Sequence, residues 1–224
     1  MDSSLEIRPV GLRDRQKLER ERRIVKAAAR LFARKGYAEV AMEDVAARAG
    51  LAVGTIYNYF PSKSALLLAI VRSETESLLA RAQKILDDPP RDPVAAVSMF
   101  TEIFLDDFTR DDRRLWRELF GAAIAEPATV GRRLFQGDTQ LVTQLAALLE
   151  RYRTDGILRS DVEPMPAATV LYGVCFTWMT AYLMNDLISA EMVRNEIRRG
   201  TAIAMHGLFP RAQPISTIAG DAGS

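Results

Sequence analysis

One cysteine and one histidine, Cys175 and His206, are the whole supply of thiol and imidazole in 224 residues. A lone cysteine excludes an internal disulfide framework and fits a reducing compartment. One thiol and one imidazole leave no spacing that could ligate a metal and no Cys–His pair for covalent catalysis. Neither a P-loop nor a dinucleotide fingerprint is present, so catalytic, cofactor and metal residues are all expected to be none. The opening residues, MDSSLEIRPV, lack the apolar core of a secretion signal, and a cytoplasmic location is the expectation. Sustained alternation of Val, Ile and Thr is missing too, which argues against strands.

Long apolar runs are scarce, with one exception. Residues 164–185, PMPAATVLYGVCFTWMTAYLMN, carry no charged side chain, and that length could span a bilayer. Two prolines, three threonines and Asn185 shorten its apolar part, and no basic cluster flanks it. A helix that is apolar all round also suits a protein core or a subunit interface. The expectation is a buried helix of a soluble protein and no membrane.

Charge is nearly balanced at +1, yet unevenly placed. Residues 1–64 sum to +5 and residues 65–224 to −4. A basic N-terminal quarter on an acidic body is the electrostatic pattern of a polyanion-binding module joined to a second unit. With 48% hydrophobic residues, the chain can bury a substantial core.

What fills the chain is helix. An apolar stripe of Ile24, Ala27, Ala28, Leu31 and Phe32 predicts a first helix over about 14–35, closed by a left-handed cap at Gly36. A short helix over 42–49 faces Val45, Ala46 and Ala49 inward, and Gly50 permits the turn that follows. A third helix, 53–59, buries Ile56 and Phe60. Two short helices about a three-residue turn have helix-turn-helix proportions.

The third helix raises the functional question. GTIYNYFPSK (54–63) collects Thr55, Tyr57, Asn58 and Tyr59, where a solvated face would carry Glu and Lys. Once Ile56 and Phe60 are buried, hydroxyls and an amide remain outside to meet phosphates or base edges, and Gly54 allows close backbone approach. Pro61 ends the helix at Phe60. Ser62 is placed to N-cap the next helix, with Lys63 in its first turn as a phosphate ligand.

LFARKGY (31–37), MEDVAARAG (42–50) and GTIYNYFPSK (54–63), running into Ser64-Ala65-Leu66, resemble the TetR (tetracycline repressor) family of bacterial transcription regulators. The resemblance covers about residues 20–70. It implies that Val53, Gly54, Thr55, Tyr57, Asn58, Tyr59 and Lys63 face DNA. Thr55, Tyr57 and Lys63 would hold the backbone; Val53, Gly54, Asn58 and Tyr59 would reach base edges. The family usually has Thr or Ser at two N-caps that here are Ala41 and Ala52, each loss costing ~1 kcal/mol. Basic residues Arg8, Arg13 and Arg15 form a candidate minor-groove arm.

The implied architecture is all-α with about nine helices. A helix-turn-helix DNA-binding domain (13–62) precedes a ligand-binding and dimerisation domain (63–209), with flexible ends at 1–12 and 210–224. Helices are expected at 63–88, 93–109, 111–124, 129–153, 166–187 and 190–208. The last two suit a dimer interface, the final one through its small residues Gly200, Ala202, Ala204 and Gly207, with His206 an interface residue. A ligand pocket is expected among Phe100, Phe104, Phe108, Trp116, Phe120, Tyr172, Phe176, Trp178 and Tyr182, narrowed to Phe104, Trp116, Phe120, Tyr172, Phe176 and Trp178. The function so implied is a homodimeric repressor, released from a pseudo-palindromic operator in double-stranded DNA by a small-molecule effector. A helical enzyme and a purely structural helical dimer are the competing classes.

Overall fold

Local sequence rules account for most of the helix ends in the computed structural model, which describes residues 11–110 and 113–207. Nine α-helices follow in order among these residues: α1 (Leu12–Lys35), α2 (Met42–Ala49), α3 (Val53–Tyr59), α4 (Lys63–Asp87), α5 (Pro93–Arg110), α6 (Arg113–Ala125), α7 (Arg132–Thr154), α8 (Pro164–Met184) and α9 (Ala190–His206). A single π-helical turn, Pro127–Gly131, leads into α7. The ends expected to be flexible fall almost wholly outside the described residues. Arg13 and Arg15 belong to the first turns of α1 and not to an arm.

Caps explain the first four helices. Gly36 ends α1 at φ 92°, ψ 151°, a conformation suited to glycine, though not the left-handed helical one expected. Gly50 does adopt that left-handed conformation (φ 63°, ψ 43°), and the Leu51 N–H reaches back to Ala46 O at 3.0 Å. Ser62 caps α4 as anticipated, its Oγ accepting from the Ala65 N–H at 3.1 Å. Ala41 has no oxygen to offer. Asp44 instead accepts from the Ala41 backbone N–H at 3.1 Å, preserving half of a capping box. That bond, with Lys35 beside it, holds the Asp44 carboxyl below its ordinary range.

Helices α1–α3 close around Ile24, Phe32, Val45 and Ile56, and the same core continues into Leu66, Leu67 and Ile70 of α4. Each such side chain, fully buried, contributes on the order of 1.5–3 kcal/mol. The start of α4 therefore belongs to the N-terminal core even as its remainder enters the body. There α4 packs against α7 and α5, while α8 lies between α7 and α9. Gly200 permits the α8–α9 contact within this chain: a Cβ there would stand 2.7 Å from Val174 Cγ1.

Helix α8 departs from expectation in two ways. Its bounds shift: it starts two residues early because Pro164 occupies its first position, where a missing N–H costs nothing. It ends at Met184, three residues short of the expected 187. It is also far from enclosed. Only 33% of its most apolar window is buried, and Val170 (59%) and Met184 (78%) stand exposed. On α9, Met192 and Ile203 are exposed as well. The buried helix expected here is half covered by this chain.

Candidate nucleic-acid interface and ligand cavity

Helix α3 divides its side chains sharply. Ile56 is completely buried and Phe60 nearly so. On the other side Tyr57 is 46% exposed, and Gly54 and Asn58 face solvent. Thr55 is half-buried, as are Val53 and Tyr59, which lean on the core. The outward surface is therefore narrower than anticipated, with Gly54, Tyr57 and Asn58 at its centre. Asn58 and Tyr59 also border a wide cleft shared with Lys17, Arg72, Arg132 and Arg133. A Cβ added at Gly54 would meet no atom within 4 Å. Nothing inside the protein requires glycine at this exposed helical position.

Lys63 is the principal correction. Its ammonium donates to three main-chain carbonyls, Tyr37 O at 2.7 Å, Ala38 O at 3.0 Å and Val40 O at 3.1 Å. It also sits 4.6 Å from the Tyr37 ring centroid. An ammonium has three protons, so none is left for a phosphate in this arrangement. The physical reason lies in the α1–α2 connection, whose carbonyls converge where α4 begins. Ser64 Oγ and the Tyr37 hydroxyl, 3.3 Å apart, join the same cluster. Lys63 fastens the helix-turn-helix to α4.

A second fastening was not anticipated. Arg114 of α6 donates to the last carbonyls of α1, Arg34 O at 3.0 Å and Lys35 O at 2.7 Å. A cation on a helix C-terminus satisfies free carbonyls and opposes the negative end of the helix dipole. Gly36 makes room, since a Cβ there would lie 2.7 Å from Arg114 Nη2. The same helix is held to the body by Arg113 and Arg117, which meet Asp186 Oδ1 at 2.9 and 2.7 Å. Arg113 also stacks 3.7 Å over the Tyr182 ring.

The body encloses a cavity of about 180 Å³ between α4, α5, α6, α7 and α8. Phe104, Trp116, Phe120, Tyr172 and Phe176 line it, five of the six residues expected. Trp178 does not; it packs against the core elsewhere. Phe100 and Tyr182 lie outside it too, and the Phe108 side chain is outside the described residues. Ring pairs knit the wall, Tyr172 standing 5.6 Å from Phe104 and 6.1 Å from Phe176.

Three polar lining residues escaped sequence reasoning: Glu74 and Thr75 of α4, and Asp138 of α7. Burial drives the Asp138 carboxyl above the ordinary range, against the opposing pull of the nearby Tyr172 hydroxyl. Burial, then the neighbouring Asp138 charge, raises the Tyr172 hydroxyl as well. The one available signal was Gly137 inside a helical pattern. Its missing side chain admits α4, because a Cβ would stand 2.8 Å from Thr75 Cγ2. Cys175 is buried apart from this cavity, its thiol pushed up to about 12 by burial.

Comparison with known proteins agrees with this geometry. Residues 24–70 match the family model for bacterial regulatory proteins of the tetR family. Over 94 residues the chain is 37% identical to the HTH-type transcriptional regulator EthR of Mycolicibacterium smegmatis, covering 40% of this chain and 42% of EthR. It is 40% identical over 81 residues to the HTH-type transcriptional repressor KstR of Rhodococcus jostii, covering 36% and 37% of the two chains. These matches span about two-fifths of the relatives' length. The whole fold resembles that of Thermus thermophilus FadR, a TetR-family transcriptional repressor solved with lauroyl-CoA, at TM-score 0.65 and 22% identity over 88% of this chain and 98% of FadR. Helix α3 lies within the matched segment with a helical body behind it, so residues 24–70 of this chain match the tetR family of bacterial regulatory proteins and the fold as a whole is like that of FadR.

Proposed function

We propose that this chain is a homodimeric, ligand-responsive transcriptional repressor of the cytoplasm, acting on a pseudo-palindromic operator. The observation that carries the reading is the face of α3, where buried Ile56 and Phe60 leave Gly54, Tyr57 and Asn58 uncovered in a tetR-family segment. Asn58 pairs bidentately with adenine, and Gly54 brings the helix backbone close to the groove. Thr55 and Tyr57 hold phosphates. Val53 and Tyr59, half-buried, contribute only at the margins. The domains divide near residue 62, with α4 common to both.

Dimerisation is supported by the uncovered apolar surface of α8 and α9, which a second copy would shield. Two-fold symmetry then sets two α3 helices about one DNA turn, ~34 Å, apart. The sensing role rests on the enclosed aromatic cavity. Two helices reach both regions: α4 lines the cavity with Thr75 and holds the helix-turn-helix through Lys63, and α6 lines it with Trp116 and caps α1 through Arg114. A ligand that shifts either helix changes the separation of the paired α3 helices. Coupling of ~1–3 kcal/mol suffices.

The test is fluorescence anisotropy with the promoter fragment beside the gene, titrated across salt concentrations. A falling line of log affinity against log salt is expected, because phosphate contacts release counterions. Affinity indifferent to salt would sink the proposal.

A further inference from the structure

The cavity walls carry rings and acids and no base among the described residues. Among the described residues lining it there is no Lys, Arg or His. Two carboxylates are there, Glu74 from α4 and Asp138 from α7. Six aromatic side chains share the wall, the five already described and Phe135 at the mouth, which is itself exposed. A ring face is electronegative and attracts cations, more strongly where water is excluded. An anionic head would find no counter-charge in this lining and would meet the Asp138 carboxylate.

Asp138 is also poorly placed for folding. It lies half-buried near the Tyr172 hydroxyl, and among the described residues no cation lines the cavity beside it. A neutral side chain of similar shape would suit the Tyr172 hydroxyl equally well. An ionisable group kept where it is costly, in a cleft, marks a functional position.

From this geometry we infer that the cavity binds a small lipophilic amine, its ammonium paired with Asp138 and its hydrocarbon or aromatic part packed among the rings. The inference rests on the sensing role proposed above and names the chemistry of the effector. At about 180 Å³ the cavity is smaller than the ~300–1,000 Å³ typical of drug-sized pockets, so one ring with a short chain fits and a bulky conjugate does not. The raised carboxyl has a consequence: an arriving ammonium favours the ionised form and restores the charge that burial disfavours.

Phenylpropylamine, phenylpropanol and phenylpropanoate share one skeleton and differ in the head group. Each is titrated into the full-length protein by calorimetry, with Trp116 fluorescence as a second readout. The amine is expected to bind about tenfold or more tighter than the alcohol, the scale of a hydrogen bond to a charged group, with the carboxylate weakest. Asp138→Asn should erase the advantage of the amine, and a cooperative thermal melt of the variant shows that it is folded. Carboxylate binding as tight as amine binding, an amine advantage that survives Asp138→Asn, or no binding by any probe would each overturn the inference. Anisotropy on the promoter fragment separates it from the regulatory reading. An Asp138-dependent amine preference with no effect on DNA affinity upholds the inference and removes the release mechanism; DNA affinity that responds to the alcohol or carboxylate while the amine is inert does the reverse.

Discussion

Tyr57 and Tyr172 are used in opposite senses by the two halves of this molecule. Tyr57 stands on α3 with its ring 46% exposed and its hydroxyl free to meet a polar partner. Tyr172 turns inward beside Asp138 and loses acidity to burial and to the neighbouring charge. In the proposed function, the surface that meets DNA keeps its polar groups hydrated until contact. The proposed sensing cavity strips water away beforehand, so one carboxylate has large leverage there. The first surface lies within ten consecutive residues; the second is drawn from five helices between Glu74 and Met179.

That contrast can be broken by substitution, in order of expected effect on folding. Ile56→Ala removes the anchor beneath the α3 face and should cost ~2–5 kcal/mol of stability, read by urea unfolding, with DNA binding lost as the N-terminal core loosens. Lys63→Ala should cost ~1–3 kcal/mol by stranding three carbonyls. The slope of DNA affinity against salt should stay as in the parent protein; a slope lower by about one would return Lys63 to the phosphate backbone. Arg114→Ala should change stability by less than ~1 kcal/mol, its bonds being exposed. Its signature is in coupling: effector affinity is kept while effector-driven DNA release weakens.

The two smallest effects on folding discriminate best between the regions. Gly54→Ala should leave stability unchanged or raise it by up to ~1 kcal/mol, since alanine favours helix and meets nothing there. DNA affinity should nevertheless fall in an anisotropy titration. Unchanged affinity would mean that the glycine was not making room for a groove. Asp138→Asn should raise the melting temperature at neutral pH. With a raised carboxyl, the folded chain holds its proton more tightly than the unfolded chain. That stabilisation is complete below the unfolded carboxylate range and is lost as pH rises through the folded value. Thermal melts of parent and variant should therefore converge in acid and separate toward neutrality, with Glu74 and Tyr172 the other ionisable groups at the cavity.

Helix positions were legible because their causes are local. The stripe from Ile24 through Ala28 to Leu31 and Phe32, the left-handed turn at Gly50 and the Ser62 cap are each built from steps of no more than five residues along the chain. The α3 surface was legible for the same reason: Ile56 and Phe60 are four apart and decide which neighbours are left out. Five cavity aromatics were also found, because rings on the helices of an enclosed body converge on its middle. Trp178 shares their chemistry and faces elsewhere, which composition could not reveal.

By itself, then, the chain of residues determined nine helices among those described, their turns, and the side of α3 that stays uncovered, all through interactions one helical turn long. Only the packed molecule decided what its charges do. Lys63 meets carbonyls 23 to 26 positions away, Arg114 caps a helix about 80 residues upstream, and Asp138 finds Tyr172 across two helices. A charge takes its partner and its cost from whatever the folded chain brings within a few ångströms, and distance along the sequence carries no record of that.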